Sequence, residues 1–116
     1  MNSLAKTVTW ILGVVLLLVG LIGFVNNPIL GIFQTDTIHN AVHILSGVVG
    51  LAAASAGASK ARLFLIVFGV IYALVTVVGF VNAGDILGLF TTNRADDYLH
   101  AAIALVSLGV GFGSKN

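Results

Sequence analysis

The sequence of 116 residues contains no cysteine and a single proline, and charged residues make up only 8% of it. Without cysteine, disulfide bonds and thiolate metal sites are excluded. The formal net charge of +1 gives no reason to expect nucleic-acid binding. Hydrophobic residues, in contrast, make up 59% of the chain. A soluble domain of this length cannot bury so much apolar surface, so we expect the excess to face lipid.

Two classes of function are disfavoured by residues that the chain does not have. It contains no Gly-x-Ser-x-Gly motif and no serine that pairs obviously with a histidine, which argues against hydrolytic catalysis. Ion-coupled transport normally needs ionisable side chains buried near the middle of the membrane, and the central apolar runs offer only Tyr72. The sequence therefore favours a non-enzymatic role and argues against a channel or a secondary transporter.

Four apolar stretches are long enough to cross a bilayer, which takes about 20 helical residues. They are approximately Leu4 to Val25, Thr37 to Ala58, Ala61 to Val81, and Ala95 to Gly113. The short link between the second and third predicts a tight antiparallel hairpin. The other two links, residues 26–35 and 82–92, share an apolar Ile-Leu-Gly-(Ile/Leu)-Phe core. We expect each of these to lie in the membrane interface, with Phe33 and Phe90 as anchors.

The basic residues indicate the orientation of these spans. Lys6, Lys60, Arg62 and Lys115 would lie on one side of the membrane, and Arg94 alone on the other. The positive-inside rule then places both termini of this multi-pass protein, and the short hairpin, in the cytoplasm. The two long loops would face outward.

The chain also contains an internal repeat. Residues 13–26 of the first half recur in part at 69–82, an offset of 56, and residues 29–43 recur in part at 86–100, an offset of 57. We therefore predict one all-α membrane domain, residues 1–116, with four transmembrane helices in two tandem two-helix repeats, about 4–58 and 61–113. Because each repeat has an even number of spans, a pseudo-twofold axis should run along the membrane normal.

Most of the polar groups at the membrane boundary lie in the two copies of one helix opening. In the first copy an N-cap residue precedes a run of polar side chains at helical spacing, and the second copy repeats this pattern. The first copy consists of Asp36, His39, Asn40 and His43, and the second of Asn93, Asp96, Asp97 and His100. The repeat places His43 and His100 at the same depth in the membrane.

These motifs resemble a known family. The Gly-Phe element after the first span, the Leu-Gly-Ile-Phe loop and the His-Asn-x-x-His and Asp-Asp-x-x-His helix openings together are similar to domain-of-unknown-function family 4383. The resemblance covers essentially the whole chain. It implies a small four-helix protein of the bacterial cell inner membrane, and it implies no activity.

The histidines have two interpretations, which the sequence leaves open. In the first, each neutral imidazole bonds a neighbouring side chain or loop carbonyl and is structural. In the second, His39, His43, Asp96 and His100 are ligands, supported by Asn40 and Asp97, of zinc or another divalent metal. Haem ligation by His43 and His100 is a less favoured alternative, because they are the only axial pair.

Small residues predict close helix packing. Ser46 and Gly50, like Gly109 and Gly113, are separated by one turn in the small-x-x-x-small pattern, and Gly47 lies beside the first pair. Such positions serve helix contacts within a chain or between chains.

Two hypotheses for the function follow. The first is a non-catalytic integral membrane protein that self-associates or is an accessory subunit of a larger membrane complex. The second is a metal- or haem-binding membrane protein, linked to redox or quinone chemistry, with its site at the outer ends of the second and fourth helices. In both, the lipid bilayer is the surrounding medium and nucleic acid is not a partner.

Overall fold

The computed structural model describes residues 3–114, which form four α-helices and one two-stranded sheet. The helices are α1 (Leu4–Gly23), α2 (Thr37–Ala56), α3 (Ala58–Val81) and α4 (Arg94–Gly113), and the strands are β1 (Asp85–Ile86) and β2 (Phe90–Thr91). The long dimension of the protein is 40 Å. This length matches a bilayer with its headgroups, which is about 40–45 Å thick.

Three of the helices, α1, α2 and α3, are long and apolar enough to cross a membrane. The fourth is 20 residues long but does not meet this description, because its first turn carries Arg94, Asp96 and Asp97 and lowers its hydropathy. The expectation of four membrane-spanning helices is therefore met by three, and α4 is corrected to a helix that packs along α3.

The turn between α2 and α3 is shorter than predicted. Gly57 alone separates the two helices, so that α2 ends at Ala56 and α3 begins at Ala58. The φ angle of Gly57 is 119°, a backbone conformation that residues with a Cβ atom rarely adopt. Glycine can reverse the chain here in one residue, which explains why the two helices end and begin closer together than expected.

Small residues hold α1 against α2. A Cβ atom added to Gly47 would lie 2.5 Å from the backbone nitrogen of Leu17 and 2.8 Å from the carbonyl oxygen of Gly13. An added Cβ on Gly50 would lie 3.0 Å from the ring of Phe64, and Ser46 is buried. Gly47 therefore lies where the backbone of α1 leaves no room for a side chain, whereas the obstacle at Gly50 is the ring of Phe64 on α3.

The two glycines predicted to pack α4 behave differently. A Cβ added to either Gly109 or Gly113 would have no neighbouring atom within 4 Å. Packing of α4 on α3 instead uses Gly69, where an added Cβ would lie 2.8 Å from the side chain of Leu108. The prediction that Gly109 and Gly113 pack helices within the chain is corrected, because they face away from the other helices.

One end of the bundle holds the starts of α1 and α3 and the ends of α2 and α4. The Thr9 hydroxyl donates a hydrogen bond to the Ala61 carbonyl (3.3 Å), and Arg62 Nε donates to the Gly111 carbonyl (2.7 Å). Three of the basic residues used to infer the orientation, Lys6, Lys60 and Arg62, belong to this end. Lys115, the fourth, lies outside the described residues.

The opposite end consists of the two long loops, and each contains a tight reversal. Leu87 (φ 55°) and Gly88 (φ 73°) link β1 to β2, which pair antiparallel with Ile86 opposite Phe90. The first loop forms the corresponding single bridge between Ile29 and Phe33. The expected interfacial anchors turn inward, since Phe33 and Phe90 are half-buried. The exposed apolar side chains of the loops are Leu30, Ile32, Leu87 and Leu89.

Candidate metal centre

The opening of α2 is tied to the second loop through its cap. Asp36 is the N-cap, and its Oδ1 atom accepts a hydrogen bond from the backbone N–H of His39 (2.8 Å). Its Oδ2 atom accepts from both the backbone N–H (2.8 Å) and the hydroxyl (3.1 Å) of Thr91. One carboxylate therefore caps a helix and holds the strand that comes 55 residues later.

The opening of α4 makes the reciprocal connection. Asn93 is the N-cap and forms a capping box with Asp96, in which each side chain accepts from the other residue's backbone N–H, both at 2.9 Å. The Asn93 side-chain amide donates to the carbonyl of Ile32 in the first loop (2.8 Å). Each helix opening is thus held by the loop that precedes the other one, which fixes the distance between the two openings.

The acidic group of Asp36 is stabilised in its charged form. Partial burial alone raises the pKa of this carboxyl, but the hydrogen bonds from the backbone of His39 and from the backbone and hydroxyl of Thr91 outweigh it. The pKa of Asp36 therefore lies below its usual value of 3.8. The bond that joins the two loops is consequently made by a carboxylate anion at neutral pH.

Three histidines meet between these openings. His39, His43 and His100, here called the histidine cluster, are exposed by only 1%, 3% and 2%. The ring centroids of His39 and His43 are 4.4 Å apart, those of His39 and His100 are 5.3 Å apart, and those of His43 and His100 are 5.8 Å apart. One ring nitrogen from each residue lies within 4.8 Å of the other two.

The tautomer of His39 follows from its partner. Nδ1 of His39 lies 3.1 Å from the carbonyl oxygen of Thr91. Because a carbonyl can only accept, Nδ1 carries the proton and Nε2 has a free lone pair. A backbone carbonyl on the outer nitrogen is also the arrangement that orients histidines that bind metals. Thr91 could not be found as a partner from the sequence, because it contributes a main-chain atom.

The free nitrogen of His39 faces a second imidazole. Nε2 of His39 and Nε2 of His100 are 3.4 Å apart. Two nitrogen ligands of a tetrahedral zinc ion, each bound at 2.0–2.1 Å, are roughly 3.3 Å apart. This pair therefore already has the spacing of two ligands on one ion. In the metal-free protein the same atoms can share a hydrogen bond if Nε2 of His100 carries the proton.

Other nitrogens of the cluster have no partner within the protein. Nδ1 of His43 and Nδ1 of His100 are buried without a hydrogen bond, and so is the hydroxyl of Tyr72. The Tyr72 ring packs edge-on against His100 at 5.5 Å. A buried polar atom without a hydrogen bond costs about 1–3 kcal/mol. Such atoms are uncommon in native proteins, and these three polar groups could serve a bound ligand.

The remaining candidate residues have other partners. Asp96 is buried beside the cluster, and its carboxylate accepts from Asn93 in the capping box. Asp97 accepts from the hydroxyl of Thr92 (2.7 Å) and pairs with Arg94 at 3.5 Å. Asn40 is buried against the position of Gly23, where an added Cβ would clash with it. The structure therefore brings together three of the four candidate ligands, while Asp96 is used in the helix cap.

A cavity of about 270 Å³ adjoins the histidine cluster. It lies between α2 and α3, and all three histidines form part of its wall. Phe90 also lines it and packs on His39 with ring centroids 4.9 Å apart. At the sequence level Tyr72 stood out only as the ionisable side chain of the central apolar runs, and its contribution to the cavity was missed.

Comparison with known proteins identifies the family and gives no activity. No curated protein and no solved structure matches the chain. Residues 6–113 match the family described as "Domain of unknown function (DUF4383)". Because this match covers nearly the whole chain, including both helix openings and all three histidines, the protein belongs to the DUF4383 family.

Proposed function

We propose that this chain is a small, non-catalytic integral membrane protein that holds one divalent transition-metal ion in the histidine cluster. The observation that carries the proposal is the meeting of three buried imidazoles, with one nitrogen of each within 4.8 Å of the others. Burying three imidazole rings in an apolar bundle is costly unless their nitrogen atoms form hydrogen bonds or bind a metal ion. A metal ion bonds all three at once.

The donor set favours zinc or another divalent transition metal over magnesium and calcium. Neutral imidazoles suit zinc, copper, iron and nickel, whereas magnesium and calcium prefer oxygen ligands. The contact of His39 with Thr91 already leaves Nε2 free to bind an ion. The ligand nitrogens of the three residues lie within 4.8 Å of one another, so the imidazole of His43 would have to draw closer to the other two to share one ion. Three protein ligands leave a fourth position open to a further ligand.

Haem fits this arrangement less well than a single ion. Axial ligation requires two imidazoles on opposite faces of a flat macrocycle. His43 and His100 are the pair on matched helices, but His39 contacts both of their rings, at 4.4 and 5.3 Å. The third ring occupies the space that a macrocycle between them would need.

The proposed location is the bacterial inner membrane, with the loop end facing outward and the termini in the cytoplasm. Support comes from the three apolar helices and from the basic residues Lys6, Lys60 and Arg62 at the opposite end. We propose that α4 accompanies α1, α2 and α3 within the same bundle, with its charged first turn at the outer surface. Asp96 and Asp97 are buried within the protein, so they would not face lipid.

The proposed architecture is a pair of two-helix repeats about a pseudo-twofold axis. Its support is the agreement of local geometry in the two halves. Leu30 and Leu87 both have a φ angle of 55°. A Cβ atom added to Gly13 would lie 2.9 Å from the side chain of Leu51. At the equivalent place in the second half, a Cβ atom added to Gly69 would lie 2.8 Å from the side chain of Leu108. The axis would pass near the histidine cluster, which draws residues from both halves.

A second candidate function is self-association, or assembly as an accessory subunit of a larger membrane complex. The observation that favours it is the open surface at Gly109 and Gly113, which could receive a helix of another chain. This role is compatible with the metal site, since α4 contributes to both through different faces.

The metal proposal is tested by zinc-dependent stability. Protein stripped of metal with a chelator would be melted in detergent at pH 7.5 with and without zinc. We expect zinc at 100 times its Kd to raise the free energy of unfolding by about 2.7 kcal/mol, and one ion to be bound per chain. Acid should weaken the effect, because protons compete with zinc for the imidazole nitrogens. Cobalt(II) should give the absorption spectrum of a tetrahedral site.

The controls separate ligation from folding. His39→Ala, His43→Ala and His100→Ala should each lose most of the zinc-induced shift, whatever their melting temperature without metal. Ser107→Ala removes an equally buried polar group of α4 and should keep the full shift. Identical melting curves of the unaltered protein with and without zinc, together with no bound metal, would refute the proposal.

A further inference from the structure

The cavity beside the histidine cluster has an opening toward lipid. Its wall on α2 includes Leu45 and its wall on α3 includes Ile71. Both side chains are exposed, by 65% and 43%, on helices that are long and apolar enough to span a membrane. A molecule dissolved in the bilayer can therefore enter between α2 and α3 without passing through water.

The inner wall of this cavity is rich in aromatic rings. Phe68, Tyr72 and Phe90 line it together with the three imidazoles of the histidine cluster. Flat rings bind other flat rings by stacking and by edge-to-face contacts. The volume of about 270 Å³ is slightly below that of pockets for drug-sized ligands. It suits one substituted ring, while a long apolar tail would remain outside in the lipid.

Three of the polar atoms in these walls need partners. The Tyr72 hydroxyl is buried and faces Ser46 of α2 in the same cavity, but the two side chains do not form a hydrogen bond of normal geometry. Nδ1 of His43 and Nδ1 of His100 are also unbonded. The Tyr72 hydroxyl can donate with or without an ion, and Nδ1 of either imidazole donates when Nε2 of that imidazole binds an ion or accepts a hydrogen bond. The cavity therefore offers hydrogen-bond donors at its inner end and apolar surface at its mouth.

We propose that this cavity binds the ring of a membrane-soluble quinone. A quinone ring has carbonyl oxygens that only accept hydrogen bonds, a flat face that stacks on aromatic side chains, and an apolar tail. The Tyr72 hydroxyl donates to one of its carbonyl oxygens, with the ring between Phe68 and Phe90. This is a binding site, and it goes beyond the metal site because it rests on the cavity and does not require an ion.

The experiment compares two probes with the same tail. Purified protein would be melted in detergent with decylubiquinone or with decylbenzene, whose ring has no oxygen. We expect decylubiquinone to raise the melting temperature and decylbenzene to have little effect. Tyr72→Phe keeps the ring and removes one donor, and should weaken decylubiquinone binding about threefold to tenfold. The conservative change leaves the packing of the bundle intact.

A second pair of variants tests the place of binding. Val75→Phe puts a large side chain into the wall of the cavity and should abolish the decylubiquinone effect. Val70→Phe makes the same change on a lipid-facing position of α3 outside the cavity, and should keep the effect. The inference is overturned if decylubiquinone and decylbenzene act alike, or if Tyr72→Phe and Val75→Phe both bind decylubiquinone as the unaltered protein does.

Both forms of the protein are measured, which separates this inference from the metal proposal. Binding of decylubiquinone to chelator-treated protein that takes up no zinc would support the cavity site and refute the metal site. Zinc binding with no response to decylubiquinone, in either the chelator-treated or the zinc-loaded form, would support the metal site and refute the cavity site.

Discussion

The packing of α1 against α2 depends on the absence of a Cβ atom at Gly47. The residue sits on α2 where the backbone of α1 passes, and the nearest atoms to an added Cβ would be the backbone atoms of Leu17 and Gly13. A backbone cannot move aside as a flexible side chain can. At Gly50 the obstacle is the ring of Phe64, which can tilt. Gly47 is therefore the stricter of the two positions.

We predict that Gly47→Ala lowers the free energy of unfolding by about 1–3 kcal/mol, because the added methyl group forces α1 and α2 apart. The matched control is Gly109→Ala, on a helix surface with no atom within 4 Å of the new methyl group. There the higher helix propensity of alanine should leave stability equal or raise it by up to about 1 kcal/mol. Melting curves in detergent make the comparison. Equal losses in both variants would contradict the assigned packing.

At the scale of the element, the two long loops combine an unusual backbone with an exposed apolar surface. Leu30 has a φ angle of 55° and is exposed by 77%. Leucine in this left-handed region is strained, and glycine or asparagine is the usual residue there. The equivalent Leu87 repeats the same conformation. The strain is tolerated because the loop is held at its ends by Asp36 and Asn93, whose side chains reach across to the opposite loop.

We predict that Leu30→Asn raises stability in detergent by about 0.5–1 kcal/mol, because asparagine adopts positive φ at lower cost. Ile32→Asn is the control, since it removes a similar exposed apolar side chain from the same loop at a position without positive φ. Melting temperatures of the two variants and the unaltered protein decide the matter. A fall in both variants would indicate that apolar contact of the loop matters more than its backbone conformation.

At the scale of the whole molecule, the two ends of the bundle differ in charge and in content. The hairpin end carries Lys60 and Arg62, and the loop end carries the caps and the histidine cluster. The orientation in the membrane therefore decides which compartment is nearer to the histidine cluster and to the mouth of the cavity.

We predict that the loop end faces outward. The chain has no cysteine, so single cysteines can be introduced without background. In sealed cells, a membrane-impermeant thiol reagent should label Asn82→Cys at the loop end. It should label Ser59→Cys, at the start of α3, only after the membrane is opened. Labelling of Ser59→Cys in intact cells would reverse the orientation.

Local patterns in the sequence were sufficient for the helices, their caps and the family. The caps could be read because Asp36 and Asn93 interact with the helix turns that immediately follow them. The helices could be read because apolar runs of this length have few alternatives in a membrane. The same reasoning overestimated α4, because Asp96 and Asp97 in its first turn lower its hydropathy and are buried by other parts of the protein.

The candidate site depended on contacts between distant parts of the chain. Sequence spacing made His39 and Asp96 equal candidates as ligands, because both lie one turn before the matched histidines. Folding separates their roles: the Thr91 carbonyl, 52 residues away, orients His39 toward His100, while Asp96 turns back to its own cap. Neither the position of the Thr91 carbonyl nor the cavity at Tyr72 can be predicted from the residues next to them in the sequence. Hydropathy and helical periodicity are properties of neighbouring residues, whereas a ligand set is a property of side chains brought together by packing.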